Sequence, residues 1–300
     1  MANEKIPDEF SYEPHTVEID GSKIHYIEQG KGDPILFLHG VPTSSYLWRN
    51  VIPHLSSLGR CIAPDLIGFG KSDKPKIEYS IFDHIHYIDA FIEKLQLKRI
   101  TFVLHGWGSV IGFNYAMHHE ENCKGLAFYE SYLRPFTGDD RSLPYQVQLI
   151  DLKEQENSHD IIKNGIPFVE TVLAQAELRK FTPQEMNYYR APFLKEGSGK
   201  PLYQHLQEIP RTKESKVNEI IAHYSKKLTQ SKLPKLLLYS VPGFMTMMAT
   251  VMWAKENLPH LEVAEIGEAL HYAQEIHPKL MGETISVWLQ SIEQQSAGEE

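Results

Sequence analysis

The stretch Arg99–Ser109 constrains this chain more than any other. Ile100–Leu104 is a short apolar run rich in β-branched and aromatic residues, long enough for a buried parallel strand. A sharp turn, His105-Gly106-Trp107-Gly108, follows it, and Val110–Met117 then reads as a helix with Ser109 at its cap. Strand, turn of small residues and helix hold the middle turn residue out at the carboxyl edge of a sheet. Here that residue is Gly106, which has no side chain to attack with.

The remaining patterns place this unit in an α/β architecture. Thr16–Glu28 alternates apolar and polar residues around Asp20-Gly21, which predicts a hairpin with one solvated face. Pro34–His39, Arg60–Asp65, Gly125–Tyr129, Pro234–Ser240 and Leu261–Ile266 read as further strands. Tyr46–Leu55, Ser80–Leu95 and Pro278–Gln294 read as helices, with Phe82, Ile85, Ile88, Ile92 and Leu95 on the packed face of the second. Strands alternating with helices predict a mostly parallel central sheet flanked by helices. From Leu133 to about Thr229 the strand pattern stops, and helical segments are broken by six prolines. The expectation is a core of residues 1–132 and 230–300 with a helical cap, 133–229, over the carboxyl edge of the sheet.

Composition narrows the function. A formal net charge of −9 argues against nucleic acid or an anionic membrane as partner. The N-terminus is polar and reads as no signal peptide, no apolar run reaches the length of a membrane span, and residues 296–300 read as a solvated tail. Cys61 and Cys123 form no disulfide framework and suit a reducing compartment, so a cytoplasmic protein is expected. No histidine spacing fits a metal, since His84 and His86 are two apart on one helix and His118 and His119 are adjacent. Neither cofactor nor metal is expected, and the partner is a small apolar organic substrate, with the protein a monomer or homodimer.

In open α/β sheets, ligands collect at the carboxyl ends of the strands. Those ends carry His39-Gly40-Val41, Gly106-Trp107, Glu130 and, in the loop after the last strand, His271. His271 oriented by Glu130 is the base-and-orienter half of a triad. The stretches His39–Asn50, Pro64–Asp73, His105–Ser109, Tyr189–Phe193 and Gly267–Glu275 make the chain resemble the haloalkane dehalogenases of the α/β-hydrolase superfamily, and also the related coelenterazine luciferases. The strand–turn–helix unit then corresponds to the nucleophile elbow of that fold.

The resemblance implies a mechanism and, position by position, its loss. In the family an elbow Asp displaces halide and forms an alkyl-enzyme ester, a His activates water to cleave it, and a carboxylate orients the His. A Trp and an Asn bind the halide. His271, Glu130 and Trp107 match base, acid and Trp, whereas Gly106 stands where the nucleophile would be and Val41 where the Asn would be. Backbone N–H groups of Trp107 and Val41 still offer an oxyanion hole. His39, Phe168 and Met245, the last in the Met-rich stretch Phe244–Met252, are further assigned to substrate binding. The expected function is a non-covalent His/Glu acid–base reaction: hydrolysis by activated water, elimination, isomerisation or cyclisation. The alternatives are a catalytically dead ligand-binding protein and a deliberate nucleophile knockout of a dehalogenase.

Overall fold

Eight strands form one sheet in the order β1-β2-β4-β3-β5-β6-β7-β8. The computed structural model describes residues 6–135, 141–155, 160–210 and 214–297. The expectations for residues 1–5 and 298–300 therefore fall outside the described residues. β1 (Pro14–Ile19) and β2 (Ser22–Gln29) pair antiparallel. Their turn has positive φ at both Asp20 and Gly21, the conformation that matches the twist of a two-residue hairpin. β2 runs antiparallel to β4 (Arg60–Pro64), and from there every pairing is parallel, through β3 (Pro34–Leu38), β5 (Ile100–Gly106), β6 (Cys123–Ser131), β7 (Lys235–Tyr239) and β8 (Leu261–Glu265). β3 and β5 are buried along their whole length, as strands covered on both faces must be.

The helices α1 (Ile81–Lys94), α2 (Trp107–His118), α9 (Met248–Asn257) and α10 (Pro278–Ala297) belong to the alternating pattern. α1 is closed by a capping box between Ser80 and Asp83. Its buried face carries Ile81, His84, Tyr87, Ile88, Phe91 and Ile92, while Phe82 is 52% exposed. The packed face is thus turned by about one residue from the one the apolar spacing predicts, because His84 and Tyr87 are buried on it. Tyr46–Leu55 is two short 3-10 turns, Ser45–Trp48 and Ile52–His54, and not one helix; the second starts around Pro53, which supplies no N–H to continue a ladder.

Between β6 and β7 the chain makes six helices and no strand among the described residues: α3 (Leu143–Gln155), α4 (Asp160–Lys163), α5 (Ile166–Gln175), α6 (Pro183–Arg190), α7 (Lys200–Glu208) and α8 (Lys216–Leu228). α8 packs on α2, and its Tyr224 hydroxyl donates to the carbonyl of Tyr132 at the end of β6. A buried ionic cluster ties this insert down. Arg49 donates to both oxygens of Glu275 at 2.6 and 2.8 Å and to Glu185 of α6 at 3.1 Å, and Arg179 bridges the same two carboxylates. Among the described residues no helix is long and apolar enough to cross a membrane.

Candidate active site

β5 ends by running straight into α2. Gly106 is the cap residue, at φ 50° and ψ −127°, a backbone state that L-side chains rarely adopt. The helix begins at Trp107, two residues before the expected Ser109 cap. The Ser109 hydroxyl serves a different purpose: it donates to the Gly106 carbonyl at 2.6 Å and accepts from the Tyr132 N–H at 2.9 Å, tying the turn to the end of β6. Gly108 is required by close packing, since a Cβ there would meet the Leu38 carbonyl oxygen at 2.4 Å. That approach sets the start of α2 against the end of β3, and a Cβ on Gly106 would lie 3.3 Å from the Gly40 Cα. The first N–H groups of α2 have no partner within their own helix and carry the positive end of its dipole.

Glu130 comes to the site through a bulge. Across the β5–β6 ladder His105 pairs with Tyr129 and Gly106 with Ser131, so Glu130 has no partner and its φ is 46°. An extra residue in one strand re-aims its side chain. Here it turns the fully buried carboxylate toward the loop after β7, where it accepts the N–H groups of Phe244 (3.1 Å), Met245 (2.5 Å) and Thr246 (3.1 Å). A fourth donor is His271 Nδ1 at 3.1 Å.

His271 is fixed by backbone as well as by side chain. Its N–H donates to the Ala176 carbonyl of the insert at 3.0 Å, and its carbonyl accepts from His105 Nε2 at 2.8 Å. The rings of His105 and His271 lie 4.4 Å apart. Burial, reinforced by the neighbouring His271, pushes His105 well below the ordinary imidazole range, so it stays neutral beside the site. With Nδ1–H given to Glu130, His271 Nε2 is the atom facing Gly106: a Cβ built there would be 3.4 Å from it. Imidazole, carboxylate and elbow are brought together in the expected order.

The imidazole opens on a small cavity. Val41, Gly106, Trp107, Met245, His271 and Tyr272 line it from the core. The insert supplies Tyr145, Gln148, Phe168, Val172, His205 and Ile209. Of the residues expected to bind substrate, Val41, Trp107, Phe168 and Met245 line this cavity. His39 does not: it is fully buried away from the cavity, with Nδ1 donating to the Gly40 carbonyl at 2.8 Å and Nε2 accepting the Leu66 N–H at 2.9 Å. Both ring nitrogens are used in holding the loop after β3, and burial lowers its proton affinity. Of the Met-rich stretch only its beginning reaches the cavity, since Met248 and Met252 lie on α9 and are about half exposed. Reading the chain alone missed Gln148 and His205, polar groups contributed from opposite ends of the insert. His205 stands edge-on to Trp107, with ring centres 4.6 Å apart. Among the described residues no cluster of three or more His, Cys, Asp or Glu could hold a metal.

Proteins similar to this chain are numerous. The chain matches the family model for the alpha/beta hydrolase fold over residues 33–278. A haloalkane dehalogenase of Mesorhizobium japonicum is 37% identical over 281 residues, which is 92% of this chain and 91% of that protein. One from Sphingobium indicum is 37% identical across 92% of this chain and 95% of its own. Among solved structures, the haloalkane dehalogenase DatA of Agrobacterium tumefaciens superimposes with a TM-score of 0.87 at 31% identity, covering 93% of this chain and 97% of DatA. DbeA of Bradyrhizobium elkani gives 0.89 at 34% identity over 95% of this chain and 100% of DbeA. With the elbow, the bulged carboxylate and the loop histidine in one register, and with relatives of this closeness along nearly its whole length, the chain belongs to the haloalkane dehalogenase-like α/β-hydrolases.

Proposed function

We propose that this protein is an enzyme of dehalogenase descent that has lost the covalent nucleophile and works by proton transfer from His271 and Glu130. The observation that carries the reading is the disposition of His271, with Nδ1 held by a buried carboxylate and Nε2 facing an elbow residue, Gly106, that has no side chain. Displacement of halide by the enzyme needs a carboxylate at that position to take the alkyl group, and glycine offers none. Activation of water, or removal of a proton from carbon, needs only a base within reach of a bound substrate, and His271 is so placed. A developing oxyanion would be met by the backbone N–H groups of Trp107 and Val41 at the start of α2 and the end of β3, donors that no side-chain replacement removes.

In this reading the insert, residues 133–229, acts as a cap that excludes water and shapes the pocket. The apolar part of the lining, Val41, Phe168, Val172, Ile209 and Met245, favours a small apolar organic substrate, with Tyr145, Gln148 and His205 offering it polar contacts. A ligand-binding protein without turnover is the rival, favoured by one observation: glycine relieves the strain that any other residue would carry at φ 50°. The two separate on His271→Ala assayed by product analysis against a panel of small esters, epoxides and haloalkanes. Turnover by the native chain that falls at least a hundredfold in the variant supports the enzyme. Turnover undiminished without the imidazole ends it.

A further inference from the structure

Three features converge above Gly106. The first N–H groups of α2 point there with the positive end of the helix dipole. His271 is only 6% exposed, and its Nε2, 3.4 Å from the Cβ position of Gly106, makes no hydrogen bond to any described residue. The glycine itself fills none of the space. A ring nitrogen that faces the cavity beside a helix N-terminus, with no partner among the described residues, is placed to take one from a ligand.

We infer that this space is a carboxylate site, and that the protein's ligand is an apolar monocarboxylate with its headgroup over Gly106 and its chain along the cavity. The inference rests on the proposed clearing of position 106 and deepens it by naming the ligand class. Charge selects a single negative headgroup. Glu130 already faces the imidazole on its Nδ1 side, so a second monoanion at Nε2 completes a carboxylate–imidazolium–carboxylate row, whereas a dianion would meet net repulsion. The apolar walls, Val41, Phe168, Val172 and Ile209, then select an alkyl or aryl chain over a free small acid.

The proton follows from the same geometry. Nδ1–H is engaged by Glu130, so Nε2 carries a hydrogen only in the imidazolium form. A bound carboxylate therefore pairs with the imidazolium form, and affinity falls as pH rises. The titratable groups facing His271 are Glu130 from β6, His105 from β5 and Tyr272 from its own loop, with His205 across Trp107 from α7.

Calorimetric titration of the whole protein with sodium octanoate, sodium acetate and 1-octanol, at pH 6 and pH 8, tests this. The native chain should bind octanoate one to one, at least tenfold more tightly than acetate or octanol, and more weakly at pH 8. Gly106→Asp, which puts a carboxylate of the protein into the site, and His271→Gln should each lose at least tenfold for octanoate while melting cooperatively. Absence of octanoate binding, octanol binding as tightly as octanoate, or Gly106→Asp binding octanoate unchanged would each overturn the assignment. Acetate binding as tightly as octanoate overturns the apolar chain. Because the readout is binding and not turnover, octanoate binding by a chain whose turnover ignores His271 would remove the enzymatic reading and leave this one standing.

Discussion

Gly106→Asp is the substitution on which the account of the elbow can be most sharply tried. The backbone there, φ 50° and ψ −127°, is one that a side chain makes costly, about 1–3 kcal/mol. Part of that is returned because the unfolded chain loses freedom when glycine is replaced, about 0.4–1 kcal/mol. The new Cβ is a tight fit, with Gly40 Cα at 3.3 Å, His271 Nε2 at 3.4 Å and His271 Cε1 at 3.7 Å, so the Gly40 backbone and the His271 ring must give by a few tenths of an ångström. The net expectation is a loss of about 0.5–2 kcal/mol, a melting point lower by a few degrees. The new carboxylate would stand within reach of both His271 and a bound alkyl group. With 1-bromohexane it can attack carbon, release bromide and form an ester, which water activated by His271 then cleaves. Val41 offers no side-chain donor to the departing bromide, so turnover should be slower by about 10²–10³ than with a full donor set. The assay is differential scanning calorimetry for stability, bromide release for turnover, and intact-protein mass spectrometry of Gly106→Asp combined with His271→Gln, in which the ester has no base to cleave it and accumulates. A variant more stable than the native chain would refute the strain argument. A double variant that never gains the hexyl group would refute the geometry of the elbow.

Three further outcomes are expected. Burial pushes the Glu177 carboxyl up to about 8, with the charge of Glu275 adding to the rise and the Leu178 N–H opposing it, and one of its oxygens has no partner among the described residues. The folded state therefore holds a proton that the unfolded state releases near 4.5, so stability should fall by roughly 3–5 kcal/mol as pH rises from about 4.5 to about 8. Glu177→Gln, which keeps the neutral form, should flatten that slope in thermal melts at pH 5 and pH 8; an unchanged slope would mean another group is responsible. Arg49→Met removes a buried cation from Glu275 and Glu185 while Arg179 and Tyr189 remain, and should cost about 3 kcal/mol in chemical denaturation. Gly108→Ala forces a Cβ against the Leu38 and His39 carbonyl oxygens and should destabilise by about 1–3 kcal/mol or more, and lower any activity, by pushing α2 off β3.

The parallel strands were legible because a strand buried on both faces is a continuous apolar run, as in Leu36–Leu38 and Phe102–Leu104. His271 and Glu130 were legible because topology alone brings the ends of β6 and β8 to one edge. Local chemistry misled where tertiary contacts outbid it. Ser109 has the residue type of a helix cap, yet its hydroxyl is drawn to Gly106 and Tyr132 across the sheet edge. His39 stands at a strand end that usually faces ligand, and instead bridges two loops with both nitrogens. Phe82 is apolar and exposed, whereas His84, two residues on and so on the other side of the helix, is buried with Ile81 and Ile88. The pocket residues of the insert could not be read at all. Which face of α3 or α7 looks inward depends on how the helices cross, and nothing local to Gln148 or His205 records that.

The bulge at Glu130 has a consequence for how this protein can change. Its carboxylate holds the wall of the pocket by three main-chain N–H groups, those of Phe244, Met245 and Thr246, and reads none of their side chains. Side chains there can therefore change without removing those donors, although the Phe244 ring itself lies 5.7 Å from the His271 ring. A proline at any of the three positions would remove one donor. Under the proposed reading, side chains that meet the ligand can change while the carboxylate that orients the base keeps its main-chain anchorage.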